Sequence, residues 1–374
     1  MGEHPLHRPV LRWYDEHARD LPWRAPDRTP WGVLVSEVML QQTPVARVLP
    51  FWGEWLRRWP EPSDLARESP GEAVRAWGRL GYPRRALRLH QAAGQTGQRH
   101  GGRVPTSYDE LLALAGVGSY TAAAVATFAF GARHAVVDTN VRRVLARAVT
   151  GTALPAPTLT RAELTLAEHL VPADAPTAAR WAAAVMELGA LVCTARSPKC
   201  SQCPVLDICA WQQAGSPVYD GPARRGQPWH GTDRQVRGRL MAVVRDARAP
   251  VPGPDLMAAT ADVDPAQRNR ALASLVQDGL LEPATEDTFA LPRDRAEPCS
   301  EPADHPGVAE GVGLDAVQVE ELGDALVVGA QQLGVDRGFD RRSLDQLEPV
   351  PGEEADLEGE AEHPVDAQAP SVVQ

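Results

Sequence analysis

The sequence predicts an all-α fold, and three observations carry that reading. From Leu11 to about Cys209, apolar residues recur at three and four positions, with Pro and Gly as punctuation. WGVLVSEVMLQQ, GEAVRAWGRLGY, TAAAVATFAFGA, NVRRVLARAVTG and ARWAAAVMELGALV all show it, while strand-like alternation is nearly absent. All ten tryptophans lie between Trp13 and Trp229, which places the dense core in that span. Four of the five cysteines fall between Cys193 and Cys209. In a chain otherwise so poor in thiols, that grouping points to a bound metal centre.

A length of 374 residues exceeds what a single core usually fills and predicts more than one domain. Residues 1–212 form the first. QAGSPVYDGPARRGQP reads as a linker over 213–228. The rhythm then changes over 229–292. Helices are expected at Asp233–Asp246, around Pro254–Thr260 and at Asp264–Asp278, followed by a small hairpin from GLLEP and TFALP. That outline is a winged-helix-like module, able to contact DNA or simply to pack. From 293 to 374 the chain is acidic, rich in Pro and Gly and without Trp or Tyr, so disorder is expected. Within it, VQVEELGDALVVGAQQL is a candidate amphipathic helix for a protein partner, and Cys299 an ordinary free thiol.

Charge divides along the same boundary. Residues 301–374 hold 18 acidic and 3 basic side chains, leaving 31 acidic and 35 basic in 1–300. A mildly basic body is compatible with nucleic-acid binding. The N-terminal MGEHPLHRPV has no apolar run after its charges, and no apolar stretch reaches the roughly 18–20 residues of a membrane helix. A cytosolic monomer without a membrane partner is expected. In that compartment clustered cysteines hold metals more often than disulfides.

The thiols follow the order C-x6-C-x2-C-x5-C: Cys193, Cys200, Cys203 and Cys209. Four soft ligands suit zinc or an iron–sulfur cluster. With one short hook and single cysteines at unequal distances, the loop wraps a bulky cubane better than one ion. Upstream, SYDELLALAGVGSYTAAAVATFAF spans 107–130. Ser107 and Glu110 can cap a first helix, which ends at Gly116-Val117-Gly118 before a second begins near Ser119. Two glycines around one apolar residue allow a tight turn whose amides face outward at a helix N-terminus, fitted to a backbone phosphate.

Two carboxylates stand out. Glu37, in VLVSEVMLQQT, has apolar neighbours at nearly every adjacent position; burial there would raise its pKa and suit it to acid work. Asp138, in HAVVDTNVRRVL, follows an apolar run at a helix start, where it can cap the helix and stay ionised. Alone, Asp138 reads first as a plain cap, and Glu37 can also be read as a surface glutamate.

Taken together, these stretches resemble one family. The cysteine spacing resembles the [4Fe-4S] loop of the endonuclease III and adenine glycosylase branch of helix-hairpin-helix DNA glycosylases, and LAGVGSYTA resembles its hairpin. Ala115 stands where that family usually has Pro. SEVMLQQT and VDTNV resemble the catalytic segments of A/G-specific adenine glycosylases. The likeness runs from about Leu21 to Cys209. It implies a two-lobed domain with the active site in the cleft, one lobe carrying Glu37 and the hairpin and the other the cluster. It implies Glu37 as the acid that protonates adenine N7 and Asp138 as the support for an oxocarbenium-like sugar. Asn140 would position the nucleophile or a phosphate, and Arg143 would pack on the cluster domain. LPWR supplies Trp23 and Arg24 as base contacts, MELGA supplies Glu187, and Gln41, Gln42 and Tyr82 would wedge into the stack as adenine flips out.

The implied substrate is duplex DNA with adenine opposite 8-oxoguanine or guanine. Two rivals remain: an endonuclease III-like enzyme for oxidised pyrimidines, and a non-catalytic iron–sulfur DNA-binding regulator. The first needs an amine for Schiff-base strand cutting. Tyr120 occupies the position of its lysine, and the only lysine of the chain, Lys199, lies in the thiol loop. A hydrolytic enzyme with little lyase activity is therefore expected. Residues 229–292 are too short for the MutT-like domain that many relatives use to check the opposite base. Nonspecific DNA affinity is the role expected of the module in its place.

Overall fold

The computed structural model describes residues 4–221 and 229–293, all within one compact unit. The acidic tail from 294, Cys299, the candidate tail helix and residues 222–228 of the linker lie outside the described residues. Helices dominate: α1 (His7–His17), α2 (Pro30–Leu40), α3 (Val45–Arg58), α4 (Pro62–Ala66), α5 (Pro70–Trp77) and α6 (Arg84–His100). They continue with α7 (Tyr108–Leu112), α8 (Ser119–Phe130), α9 (Thr139–Leu145), α10 (Arg161–Leu170), α11 (Ala175–Leu191) and α12 (Ala210–Gln213). Short polar caps start many of them. Thr29, Ser69, Ser107, Asp138, Thr160 and Asp174 each accept the amide three residues on, satisfying a donor the helix leaves free. Among the described residues up to 221 there is no strand.

Two cores form. The first gathers α2 to α8 around a tryptophan cluster in which Trp55 meets Trp59 at 4.7 Å and Trp77 at 5.6 Å, both edge-on. Edge-to-face geometry of this kind adds to the burial of the rings. Helix α2 runs through the centre and is buried continuously from Trp31 to Met39, as a helix apolar on every face must be. The second core brings α1 back against α9 to α12, through Leu6, Val10 and Trp13 on Val141, Trp181 and Leu188. Ala123 and Ala124 of α8 meet Val136 and Ala182 in a seam of small side chains between the lobes.

The C-terminal module consists of α13 (Asp233–Asp246), α14 (Gly253–Ala258), α15 (Pro265–Gln277) and three short strands. Strands β1 (Val251–Pro252), β2 (Glu282–Thr285) and β3 (Thr288–Ala290) form an antiparallel sheet in the order β1-β3-β2. This is winged-helix connectivity, with β1 added to the expected hairpin; at two residues it is too short to show alternation in sequence. The module does not hang free on its linker. Val236, Leu240, Leu275 and Leu291 belong to the same continuous core as the tryptophan cluster, and the amide of Gly71 donates to the Pro292 carbonyl at 2.8 Å.

Among the described residues, no helix is long and apolar enough to cross a membrane.

At the crossing of α9 and α11, a Cβ on Gly189 would lie 2.7 Å from Asn140 Cβ and 2.8 Å from its carbonyl oxygen. Only glycine lets the backbones approach so closely. Gly189→Ala should cost about 1–3 kcal/mol of stability, read as a lowered melting midpoint, because backbone atoms cannot rotate away. A melting curve superposable on wild type would show that α9 and α11 are not so tightly opposed.

Candidate active site

Glu37 comes from the middle of α2 and is 6% exposed. Burial comes first among the influences on it and drives its pKa from 4.5 to about 7. The Tyr120 hydroxyl donates to its carboxylate and holds the value down in part, the charge of Asp138 raises it, and Arg24 lowers it. Tyr120 projects from the first turn of α8, and its own hydroxyl is held far above its usual range by burial and by the two carboxylates. It therefore stays a neutral donor.

Asp138 reaches the same place from the second lobe. Its Oδ1 caps α9 through the Val141 amide at 2.7 Å, and its Oδ2 accepts Asn140 Nδ2 at 2.8 Å. The cap is as the sequence suggested, but the balance of effects differs. Burial outweighs the Val141 amide, Asn140 and the Arg143 charge, so the carboxyl titrates above its ordinary range. Arg143 extends the line. Its Nη2 donates to Asn140 Oδ1 and to the Gly189 carbonyl, both at 2.7 Å, and its Nε to the Cys193 carbonyl at 2.6 Å. A continuous chain of hydrogen bonds thus joins Asp138 to the start of the thiol loop.

Glu187 of α11 is fully buried. Arg19 grips it through Nε at 2.6 Å, Nη2 at 2.9 Å and its backbone amide at 3.1 Å, while Arg24 Nη2 adds 2.9 Å. Despite burial, these donors depress its pKa to about 2. Both oxygens are committed, so Glu187 holds the arginines and offers little of itself to a base. Arg24 Nη1, by contrast, is buried without a partner and lies within the field of Glu37. Trp23 packs its edge on Trp52 at 5.7 Å inside the first core.

The remaining sites lie around this centre. Gly116 has φ +75, and a Cβ there would meet Arg88 Cβ at 2.6 Å, so both backbone and space require glycine. Gly118 caps α8 in an extended conformation with open space beside it. The first-turn amides of α8 lack helix partners by geometry and point outward. Gln42 and Tyr82 are exposed, and both adopt left-handed backbone, with φ 55 and 46. That conformation costs about 1–2 kcal/mol for a residue with a Cβ. Gln41 turns inward to Thr121 at 3.4 Å.

The residue that reconciles the two strained turns was not singled out in the sequence. Arg85 of α6 is buried and donates through Nη1 to the carbonyls of Val38, Met39 and Gln41, and through Nη2 to Thr43 Oγ1, Leu80 O and Gly81 O. Its charge sits over the rings of Trp77 and Tyr82. One guanidinium closes the C-terminus of α2 and ties the Gln42 turn to the Tyr82 turn. RLGYPRRA offered three arginines and no way to choose among them.

The four thiols line one pocket together with Arg147, Trp211 and Gln212. Among the described residues, no group of three or more His, Cys, Asp or Glu is placed to hold a single metal ion. Burial and the neighbouring thiols push Cys203 up to about 11. Joint ionisation of the set needs a polycation among them. Donors are ready for thiolates: Arg147 Nη1 lies 3.4 Å from Cys193 Sγ, and Gln212 Nε2 3.1 Å from Cys200 Sγ.

Residues 35–169 match the HhH-GPD superfamily of base excision DNA repair proteins, and residues 193–209 match the iron–sulfur binding domain of endonuclease III. Over 284 residues, 76% of this chain and 92% of the relative, it is 54% identical to an adenine DNA glycosylase of Mycobacterium tuberculosis. The chain belongs to the adenine DNA glycosylases. A Mycolicibacterium smegmatis member is 53% identical over 282 residues, covering 75% of this chain and 94% of that one. The human adenine DNA glycosylase is 45% identical over 213 residues, 54% of this chain and 39% of the human protein. The solved structure of a thermostable thymine-DNA glycosylase superposes with a TM-score of 0.50 at 30% identity, covering 55% of this chain and 94% of the other. This adenine DNA glycosylase is a base-excision enzyme, and its cofactor is a [4Fe-4S] cluster.

Burial of Glu37 has a consequence for stability. Its pKa is raised on folding, so the native state is penalised as pH climbs through the interval from 4.5 to about 7, and fully above it. Glu37→Gln removes that penalty. The variant should match wild type near pH 4 and exceed it at pH 8 by on the order of 3 kcal/mol, measured by denaturant unfolding. Equal stability at both pH values would mean the carboxyl is not desolvated.

Proposed function

We propose that this glycosylase excises adenine mispaired with 8-oxoguanine or guanine, with Glu37 as general acid and Asp138 as anionic support. The observation that carries the reading is a carboxyl buried in the first lobe and poised near pH 7, next to a second carboxyl presented by the other lobe. Environments that separate two carboxyls in this way divide acid from anion. Burial foremost, with the charge of Asp138 adding to it, keeps the proton on Glu37.

The chemistry follows from these protonation states. Adenine, turned out of the helix, receives the Glu37 proton at N7, and the C1′–N9 bond breaks with its electron pair leaving on the base. Asp138 carboxylate faces the resulting sugar cation. Glu37, now a carboxylate, takes a proton from the water that adds to C1′, which restores the starting acid. Tyr120 steadies Glu37 throughout, and Asn140 with Arg143 fixes Asp138. Arg24, with its unpartnered Nη1, is the donor available to the extruded base, and Glu187 with Arg19 orients it. Gly116 and Gly118 grip a backbone phosphate, and Gln42 and Tyr82 fill the gap left in the stack. Cys193, Cys200, Cys203 and Cys209 hold the cluster, which when bound folds the loop that anchors Arg143. The lone lysine, Lys199, belongs to that loop, which favours hydrolysis over Schiff-base strand cutting.

Single-turnover excision on A:8-oxoG and A:G duplexes tests the assignment. Glu37→Gln and Asp138→Asn should each lose roughly 10²-fold or more while keeping DNA affinity. Undiminished excision by both would remove them from the chemistry. Because the acid must be protonated, the wild-type rate should fall as pH rises through about 7. Tyr120→Phe deletes the hydrogen bond that holds the Glu37 pKa down, so its basic limb should move to higher pH. A shift to lower pH would contradict the donor role of Tyr120.

A further inference from the structure

The sequence suggested DNA affinity as the task of the C-terminal module. Its composition argues otherwise. Residues 229–293 carry 8 basic and 9 acidic side chains, and Arg237, Arg239 and Arg270 are committed to Asp278, Asp262 and Asp233 within the module. Phosphate binding draws on an excess of cations, and the module carries none.

The module instead converges on one loop of the first lobe. The segment between α5 and α6, Gly78–Pro83, carries Tyr82. From inside, Trp77 Nε1 donates to Gly81 O at 2.9 Å and Arg85 donates to Leu80 O and Gly81 O. From outside, Arg245 of α13 donates to Gly78 O. Arg75 of α5 returns the contact, reaching the carbonyls of Arg245 and, at 2.9 Å, Ala247. Beyond Tyr82, Arg84 pairs with Asp278 at 3.2 Å, and Arg237 holds the other oxygen of Asp278 at 2.6 Å. Both flanks of a strained turn are therefore fastened to the module, and the apolar side of the module is sealed into the same core.

We propose that the C-terminal module is a brace that fixes the Tyr82 turn for base extrusion, with Arg245 and Asp278 as its positioning residues. A wedge replaces stacking only if it resists being pushed back. Left-handed backbone at Tyr82 persists only where its surroundings over-determine it. The module supplies the outer half of that determination. The proposal rests on the reading above that Tyr82 enters the base stack.

The test compares two duplexes under single-turnover conditions with the full-length protein. One holds adenine opposite 8-oxoguanine; in the other adenine sits in a one-nucleotide bulge, already unstacked. Arg245→Met and Asp278→Asn should lower the rate on A:8-oxoG roughly 10- to 100-fold, the scale set by a small misplacement of a working group. The bulge should be processed close to the wild-type rate, and Arg245→Lys should recover part of the loss on the mispair. Melting curves report folding, and if Arg245→Met does not fold, Asp278→Asn carries the comparison. Equal losses on both duplexes, or no loss on either, would overturn the brace. Wild-type protein that released adenine from neither duplex would overturn the functional reading and the brace with it.

Discussion

Everything in this structure depends on a carboxyl placed where water cannot reach it. Glu37 occupies a helix buried continuously from Trp31 to Met39, and desolvation leads the influences on its pKa. An acid that keeps its proton near neutrality can discharge a purine, whereas the same glutamate on the surface would have lost that proton long before. The protein accepts an unfavourable burial to obtain this, and the tryptophan core around α2 is what makes the burial stable.

The second lobe can be understood as the means of bringing an anion to that acid. Asp138 is positioned by a helix N-terminus, by Asn140 and by Arg143, and Arg143 is anchored on the carbonyl of Cys193. The thiol loop therefore contributes to the active site without touching it. A cluster that sets the path of the loop sets Arg143, and through Asn140 it sets the carboxylate. Gly189 allows α11 to press against this assembly, and the same helix supplies Glu187 to hold Arg24. The two lobes meet over small side chains, and the charge of Asp138 reaches Glu37.

Much of this was legible in the sequence. Continuous apolarity around Glu37 announced burial, the VDTNV turn announced a cap, and four thiols in 17 residues announced a metal centre. What stayed hidden is long-range. That burial would outweigh the cap at Asp138 depends on how the lobes close. The commitment of Glu187 to Arg19 and Arg24 joins residues more than 160 positions apart. Arg85 could not be told from its neighbouring arginines, because its role is defined by six carbonyl and hydroxyl oxygens that the fold gathers from two segments, 38–43 and 80–81. The sequence left open whether the module contacts DNA or simply packs, because its amphipathic helices have an ordinary pattern, and no local pattern says which neighbour will cover them.

The protonation state of Glu37 is the most direct point of attack. Selective carbon-13 labelling of glutamate, with the Glu37 signal assigned by its loss in Glu37→Gln, would follow the carboxyl through a pH titration of the cluster-loaded protein. The account predicts a midpoint near 7. A midpoint close to the 4.5 of an ordinary glutamate would mean that the carboxyl is charged at neutral pH and cannot be the proton donor.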